Sequence, residues 1–136
     1  MSRCFVADTS AIIAVVFAEP EREHFLDCIR LAEKVLVSSV SLVETRMVVH
    51  GRKGQRAVVL LDDFLRLPVF EVVAPGAEEA AAAYAAFVAF GKGSSHPAAL
   101  NFGDVFGYAL AKVRGLPLLY KGDDFSQTDI AAACEA

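Results

Sequence analysis

Acidic residues stand at four places where carboxylate chemistry could be built. Asp8 closes the run FVAD, Glu44 lies in SSVSLVE, Asp104 in NFGD, and Asp123 and Asp124 share GDDF. Carboxylates gathered in one place repel one another and lose their charge unless a cation sits among them. Hard oxygen donors of this kind suit Mg²⁺ or Mn²⁺, which bind through a few carboxylates and keep several waters. A cation held so can deprotonate a water and stabilise charge on a phosphoryl oxygen. Asp8 stands among apolar neighbours, FVA before it and AIIAVVF shortly after, where a carboxylate is costly to bury without a reason. Gly103 and Gly107 flank Asp104, and glycine weakens a helix unless something must approach closely.

A plainer reading stands beside this one. Asp8 could cap the helix that opens at Thr9-Ser10, and Ser41-x-x-Glu44 and Asn101-x-x-Asp104 both fit capping boxes. Asp in a first helical turn is favoured by the dipole in any case.

The elements that would position these acids follow from the apolar pattern. Arg3–Ala7 reads as a short strand, and Thr9 opens an apolar helix. Pro20–Glu33 reads as a second helix and Val35–Val37 as a buried strand. SSVSLVETRMVVH forms a third helix with Ser41 and Glu44 in its first turn or so; Gly51 is expected to break it, and Gln55–Leu67 continues as another. Val69–Val73 is a strand, Pro75-Gly76 a turn and Ala77–Phe90 an alanine-rich helix. GKGSSHP is a loop, Asn101–Arg114 a helix ended by Gly115, and Leu116–Tyr120 a strand, with a weaker strand near Asp129-Ile130. Strands separated by helices imply parallel crossovers, hence a three-layer α/β/α sandwich around a mostly parallel sheet, one domain over residues 1–136. Ligands of such sheets bind outside the carboxyl ends of the strands. All four acidic positions fall at that edge.

The 136 residues carry 13 Lys+Arg against 17 Asp+Glu, a net charge of −4, and the sequence pI is about 5.3. This argues against a broad basic face for nucleic acid, so a phosphodiester substrate requires a cation to offset the acids. A hydrophobic share of 55% excludes disorder and is high enough to suggest that some apolar surface covers a partner. Ala11–Ala18 and Ala80–Phe90, the longest uncharged apolar runs, are too short to span a membrane. Asp8 interrupts any leader-like segment, which points to the cytoplasm. Cys4, Cys28 and Cys134 are odd in number and scattered; the expectation is neither a disulfide framework nor a zinc set, but small apolar residues in a reducing compartment.

FVADTSAIIAVVF, SSVSLVE and LNFGDVFGYALAKVRGLPLLYKGDDF, in this order and spacing, resemble the PIN-domain ribonucleases, and within them the VapC toxins of bacterial toxin–antitoxin pairs. The resemblance covers essentially the whole chain. It implies a Mg²⁺- or Mn²⁺-dependent endoribonuclease toxin, an RNA substrate, a VapB-like antitoxin that blocks the site, a homodimer and a toxin–antitoxin hetero-oligomer. It assigns the catalytic and metal-holding acids to Asp8, Glu44, Asp104 and Asp124, with Asp123 in reserve. Thr9 or Ser10 resembles the family's hydroxyl beside the first acid, and both are also ordinary helix-start residues.

The remaining candidates are weaker. Arg46, Arg52, Lys53 and Arg56, with His50 among them, read as an RNA-contacting rim or as a solvated helix face. His24, His50 and His96 are too dispersed for a catalytic pair or a zinc site. Lys121 could meet a phosphate or close a strand. Gly91-Lys92-Gly93-Ser94-Ser95 lacks the spacing of a P-loop. Phe17, Leu26, Phe64, Tyr84, Phe87 and Phe90 are expected mostly in the core, some of them at partner surfaces. A phosphoryl-accepting receiver would need an early acidic pair and an Asp after a central strand, and neither is present. A non-catalytic interaction module, with the acids as caps only, is the other alternative.

Overall fold

The structure, a computed structural model, describes residues 3–134. In chain order it contains β1 (Cys4–Ala7), α1 (Thr9–Val16), α2 (Arg22–Leu31), β2 (Lys34–Ser38), α3 (Ser39–Lys53), α4 (Gln55–Leu65), β3 (Phe70–Val73), α5 (Ala77–Phe90), α6 (Phe102–Arg114) and β4 (Leu118–Leu119). The strands form one sheet in the order β3-β2-β1-β4, every pair parallel. Phe5 pairs with Val35 and Val6 with Leu118.

Alternation along the strands sorts the helices into two layers. Successive side chains of a strand point to opposite faces. Phe5, Ala7, Val35, Val37 and Phe70 pack with apolar residues of α1 to α4, including Ile12, Phe25, Val49 and Leu61. Val6, Leu36 and Leu118 face the other way, onto Ala83 and Ala86 of α5 and Val105, Ala109 and Leu110 of α6. The outcome is the three-layer sandwich that the alternation of strands and helices implied.

The chain lays β2 and β3 to one side of β1 and then crosses back to place β4 on the other. Helices leave opposite faces of the sheet on either side of that reversal, which opens a crevice at the carboxyl ends of β1 and β4. Asp8 N–H donates to the carbonyl of Leu119 at 2.9 Å, so the two strand ends are joined at its mouth.

Several local expectations need correction. Gly51 does not break α3, which runs on to Lys53; the break falls at Gly54, whose φ of 80° no L side chain adopts readily. A mid-helix glycine costs about 1 kcal/mol relative to alanine, too little to end a helix whose flanking turns hold. The Leu116–Tyr120 strand shrinks to Leu118–Leu119, because Pro117 has no N–H to give to a ladder. No strand forms at Asp129-Ile130; Ala132 instead makes a single bridge to Leu118. Tyr84 is 71% exposed and Phe87 is exposed as well, so neither is core.

The cysteines also depart from expectation. Cys28 and Cys134 are joined by a disulfide, with Cα atoms 6.4 Å apart, and Cys4 is free. A separation of 106 residues hid a pairing that only the folded tail creates. No helix among the described residues is long and apolar enough to cross a membrane.

Neighbouring leucines on α4 test the layer assignment. Leu61 is fully buried whereas Leu60 is 67% exposed. Leu61→Ala is expected to cost about 2–5 kcal/mol in urea unfolding, through lost burial and the cavity left behind. Leu60→Ala should stay within about 0.5 kcal/mol of the parent.

Candidate active site

Asp8 leaves the sheet at the end of β1 and caps α1. Its Oδ2 accepts two hydrogen bonds from Ser10, from the backbone N–H at 3.0 Å and from the hydroxyl at 2.7 Å. The Ser10 hydroxyl oxygen in turn accepts the N–H of Lys121 at 2.9 Å. The loop after β4 is therefore tied through Ser10 to Asp8. Asp8 Oδ1 is buried and has no hydrogen-bond partner. A carboxylate oxygen left so in a native fold is costly and calls for an explanation.

Thr9 takes a different part. Its hydroxyl donates to the carbonyl of Ser41 at 3.2 Å, and the Thr45 hydroxyl donates to the same carbonyl at 2.7 Å. The Thr9 bond, with the Thr45 hydroxyl 3.0 Å from that of Thr9, fixes α3 against the start of α1. Of the two hydroxyls beside the first acid, Ser10 meets the carboxylate and Thr9 locks the framework.

α3 begins earlier than the capping-box reading supposed. Its cap is Ser38, whose hydroxyl accepts from Val40 N–H, so Glu44 lies in the second turn and caps nothing. Glu44 instead presses its carboxylate against α6 at Gly103, where an added Cβ would overlap it. A Cβ at Gly107 would come within 3.3 Å of Asp8 Oδ1 and 3.9 Å of Ser41 Oγ, a second buried polar atom with no partner. Glu44 thus occupies the space that a side chain would need at Gly103, and Asp8 lies in tight contact with Gly107.

Asp104 does form a capping box with Asn101. Asn101 N–H donates to Asp104 Oδ2, and Asp104 N–H donates to Asn101 Oδ1, each at 2.9 Å. Asp8, Glu44 and Asp104 line one cavity of about 400 Å³, together with Ser10, Glu19, Arg52 and Lys121. Asp124 lies outside that lining, but its charge reaches Asp104. Asp123 offers its backbone carbonyl to the Ser126 hydroxyl and is exposed.

Burial lifts the Asp8 carboxyl to about 7; the Ser10 hydrogen bonds work against this, and the charges of Asp104 and Glu44 add to it. Asp104 is raised too, first by desolvation and then by Glu44 and Asp124, against the pull of the Asn101 backbone bond. The unpartnered Asp8 oxygen, the three carboxylates and the space kept by two glycines fit a hard divalent cation. Among the described residues the three acids do not close to within 4.8 Å of one another. Such a cation would therefore reach some of them through waters, as Mg²⁺ commonly does.

The basic residues disperse. Arg46 pairs with Asp62 at 2.9 Å, and Lys53 and Arg56 line a neighbouring cavity. Arg52 is the member of that group that reaches the acidic cavity, its guanidinium 5.6 Å from the centre of the Phe17 ring. Lys121 is held by Glu19 at 2.9 Å and Glu21 at 3.2 Å, which takes it away from a phosphate role. Sequence reasoning missed Glu19, which carries no local signal, and read Ser41 as a cap, whereas Ser38 caps α3 and the Ser41 hydroxyl is buried without a partner.

Comparison with known proteins agrees with the fold. The PIN domain family model matches residues 5–131. Ribonuclease VapC30 of Mycobacterium tuberculosis is 44% identical over 126 residues, covering 93% of this chain and 95% of that protein. The crystal structure of M. tuberculosis VapC20, titled a sarcin-ricin loop cleaving toxin, superposes with a TM-score of 0.78 at 20% identity, covering 96% of this chain and 99% of that one. A toxin–antitoxin complex from Klebsiella pneumoniae superposes at 0.67 and 16% identity, covering 97% and 99%.

The raised Asp8 carboxyl makes a prediction about stability. Between about pH 4 and pH 7 the fold keeps a proton on Asp8 that the unfolded chain has released. The chain held in chelator should therefore lose stability as pH rises through that window. Asp8→Asn should flatten this slope and stabilise the chelated chain by up to about 4 kcal/mol above pH 7, read from urea unfolding at a series of pH values.

Proposed function

The chain belongs to the PIN domain family, beside the ribonucleases named VapC, and from that premise we propose that it is a metal-dependent endoribonuclease. It hydrolyses RNA phosphodiester bonds and acts as the toxin of a toxin–antitoxin pair. The observation that carries the proposal is Asp8, with a buried and unpartnered Oδ1, sharing one cavity with Glu44 and Asp104 at the switch point of the sheet.

Asp8, Glu44 and Asp104 would hold Mg²⁺ or Mn²⁺, with Asp124 behind them. When bound, the cation polarises a water and offsets charge on the scissile phosphoryl group. Asp8 and Ser10 orient the donor set, because the Ser10 hydroxyl pins one carboxylate oxygen and leaves the other aimed inward. Asp104, held from behind by Asn101 and raised first by burial and then by Glu44 and Asp124, is placed to accept a proton from water. Of the two cations at the cavity wall, Arg52 is the one positioned to meet a substrate phosphate.

The exposed apolar residues support the partners that this reading requires. Val43, Met47 and Phe102 form one groove beside Glu44, and Tyr84, Phe87, Phe102 and Phe106 form a second. Phe102, 73% exposed, belongs to both. A VapB-like antitoxin helix and a second copy of the chain are the occupants we assign to these surfaces, in the cytoplasm, with residues 1–136 as one nuclease domain.

Asp8→Asn, Glu44→Gln and Asp104→Asn should each lower RNA cleavage by roughly 100-fold or more with the fold intact, and should weaken Mn²⁺ binding in calorimetry. Ser10→Ala should cost about tenfold. Asp124→Asn should cost more than Asp123→Asn. Equal cleavage by parent and variants would overturn the assignment.

A further inference from the structure

Outside the lining of the acidic cavity, three side chains of another chemistry converge. His24 and Cys28 are four residues apart on α2, hence on one face of the helix. Cys134 reaches them from the C-terminal tail, which is fixed on β4 by the bond from Ala133 N–H to the Leu118 carbonyl at 2.9 Å. One ligand atom from each lies within 4.8 Å of the other two, and this is the one such set of three ligand residues among the described residues. His24 Nε2 is buried and has no hydrogen-bond partner. The disulfide accounts for the two sulfurs but leaves that nitrogen unexplained.

We propose that His24, Cys28 and Cys134 form a Zn²⁺ site of which the disulfide is the oxidised form. A dithiol reductant passes two electrons and two protons to the disulfide, giving two thiols while it becomes a disulfide itself. Zn²⁺ then displaces the two thiol protons and takes the His24 nitrogen as its third ligand. Thiolate and imidazole donors select zinc over the hard cations that suit the acidic cavity. All three residues are half-buried, so water can fill the fourth tetrahedral position. The ion staples α2 to the tail behind β4, the strand whose end carries Lys121 and GDDF.

Co²⁺ added to the reduced, metal-free full chain provides the test. One equivalent should produce the charge-transfer absorption of a cobalt–thiolate bond, and Zn²⁺ should abolish it. Cys28→Ser and Cys134→Ser should lose the band, and His24→Gln should weaken Co²⁺ at least about tenfold. Asp8→Asn should keep it in full, which separates this site from the nuclease reading. Zn²⁺ should also raise the melting temperature of the reduced parent and leave Cys134→Ser unchanged. Absence of the band from the folded, reduced parent would overturn the proposal, as would its survival in Cys134→Ser or its loss in Asp8→Asn.

Discussion

A carboxylate buried at the end of β1 sets the terms for everything around it. Asp8 is 2% exposed, and burial alone pushes its carboxyl far above the usual range. Ser10 relieves one oxygen with two hydrogen bonds and leaves the other bare. Glu44 and Asp104 then add like charge across the cavity. Of the two cations at the wall, Lys121 is engaged by Glu19 and Glu21. The cavity as it stands favours a proton or an added cation, and a divalent ion relieves the repulsion more fully than one proton can.

The fold pays for that concentration of charge with backbone geometry. Parallel strands bring all their carboxyl ends to one edge, and the reversal between β1 and β4 opens the crevice there. α6 approaches α3 and β1 so closely that a Cβ at Gly103 would overlap Glu44 and one at Gly107 would crowd Asp8. The N-terminal turn of α6 carries Asp104 and lies against the Glu44 carboxylate at Gly103. Rigid elements, joined by the Asp8–Leu119 and Lys121–Ser10 bonds, thus hold the acids in place without basic partners.

Periodicity made most of this legible in the sequence. The sandwich, the helix over Ala77–Phe90, the Asn101 cap and the Gly115 stop all follow from local patterns that tertiary packing did not overrule. What was illegible depends on distance in the chain. Gly51 and Gly54 are both plausible breaks, and only the backbone conformation distinguishes them. Cys28 and Cys134 meet through a tail whose course is set by one bridge to β4. Tyr84 and Phe87 look like core residues because helix periodicity records an apolar face, not whether this chain covers it.

Capping and chemistry turn out not to be rival readings for most of the acids. Asp8 caps α1 with Oδ2 and turns Oδ1 into the cavity; Asp104 spends Oδ2 on Asn101 and still feels Glu44 and Asp124. Either residue alone could be dismissed as a helix terminus that happens to be acidic. Glu44 cannot. It stands in the second turn of a helix already capped by Ser38, makes no side-chain hydrogen bond among the described residues, and occupies the space where α6 forgoes a Cβ. A helix gains nothing structural from a carboxylate placed so, against two others. The cation-holding role proposed above would account for its position, and the two caps are compatible with that role, since α1 and α6 bring Asp8 and Asp104 to the same cavity while using them as caps.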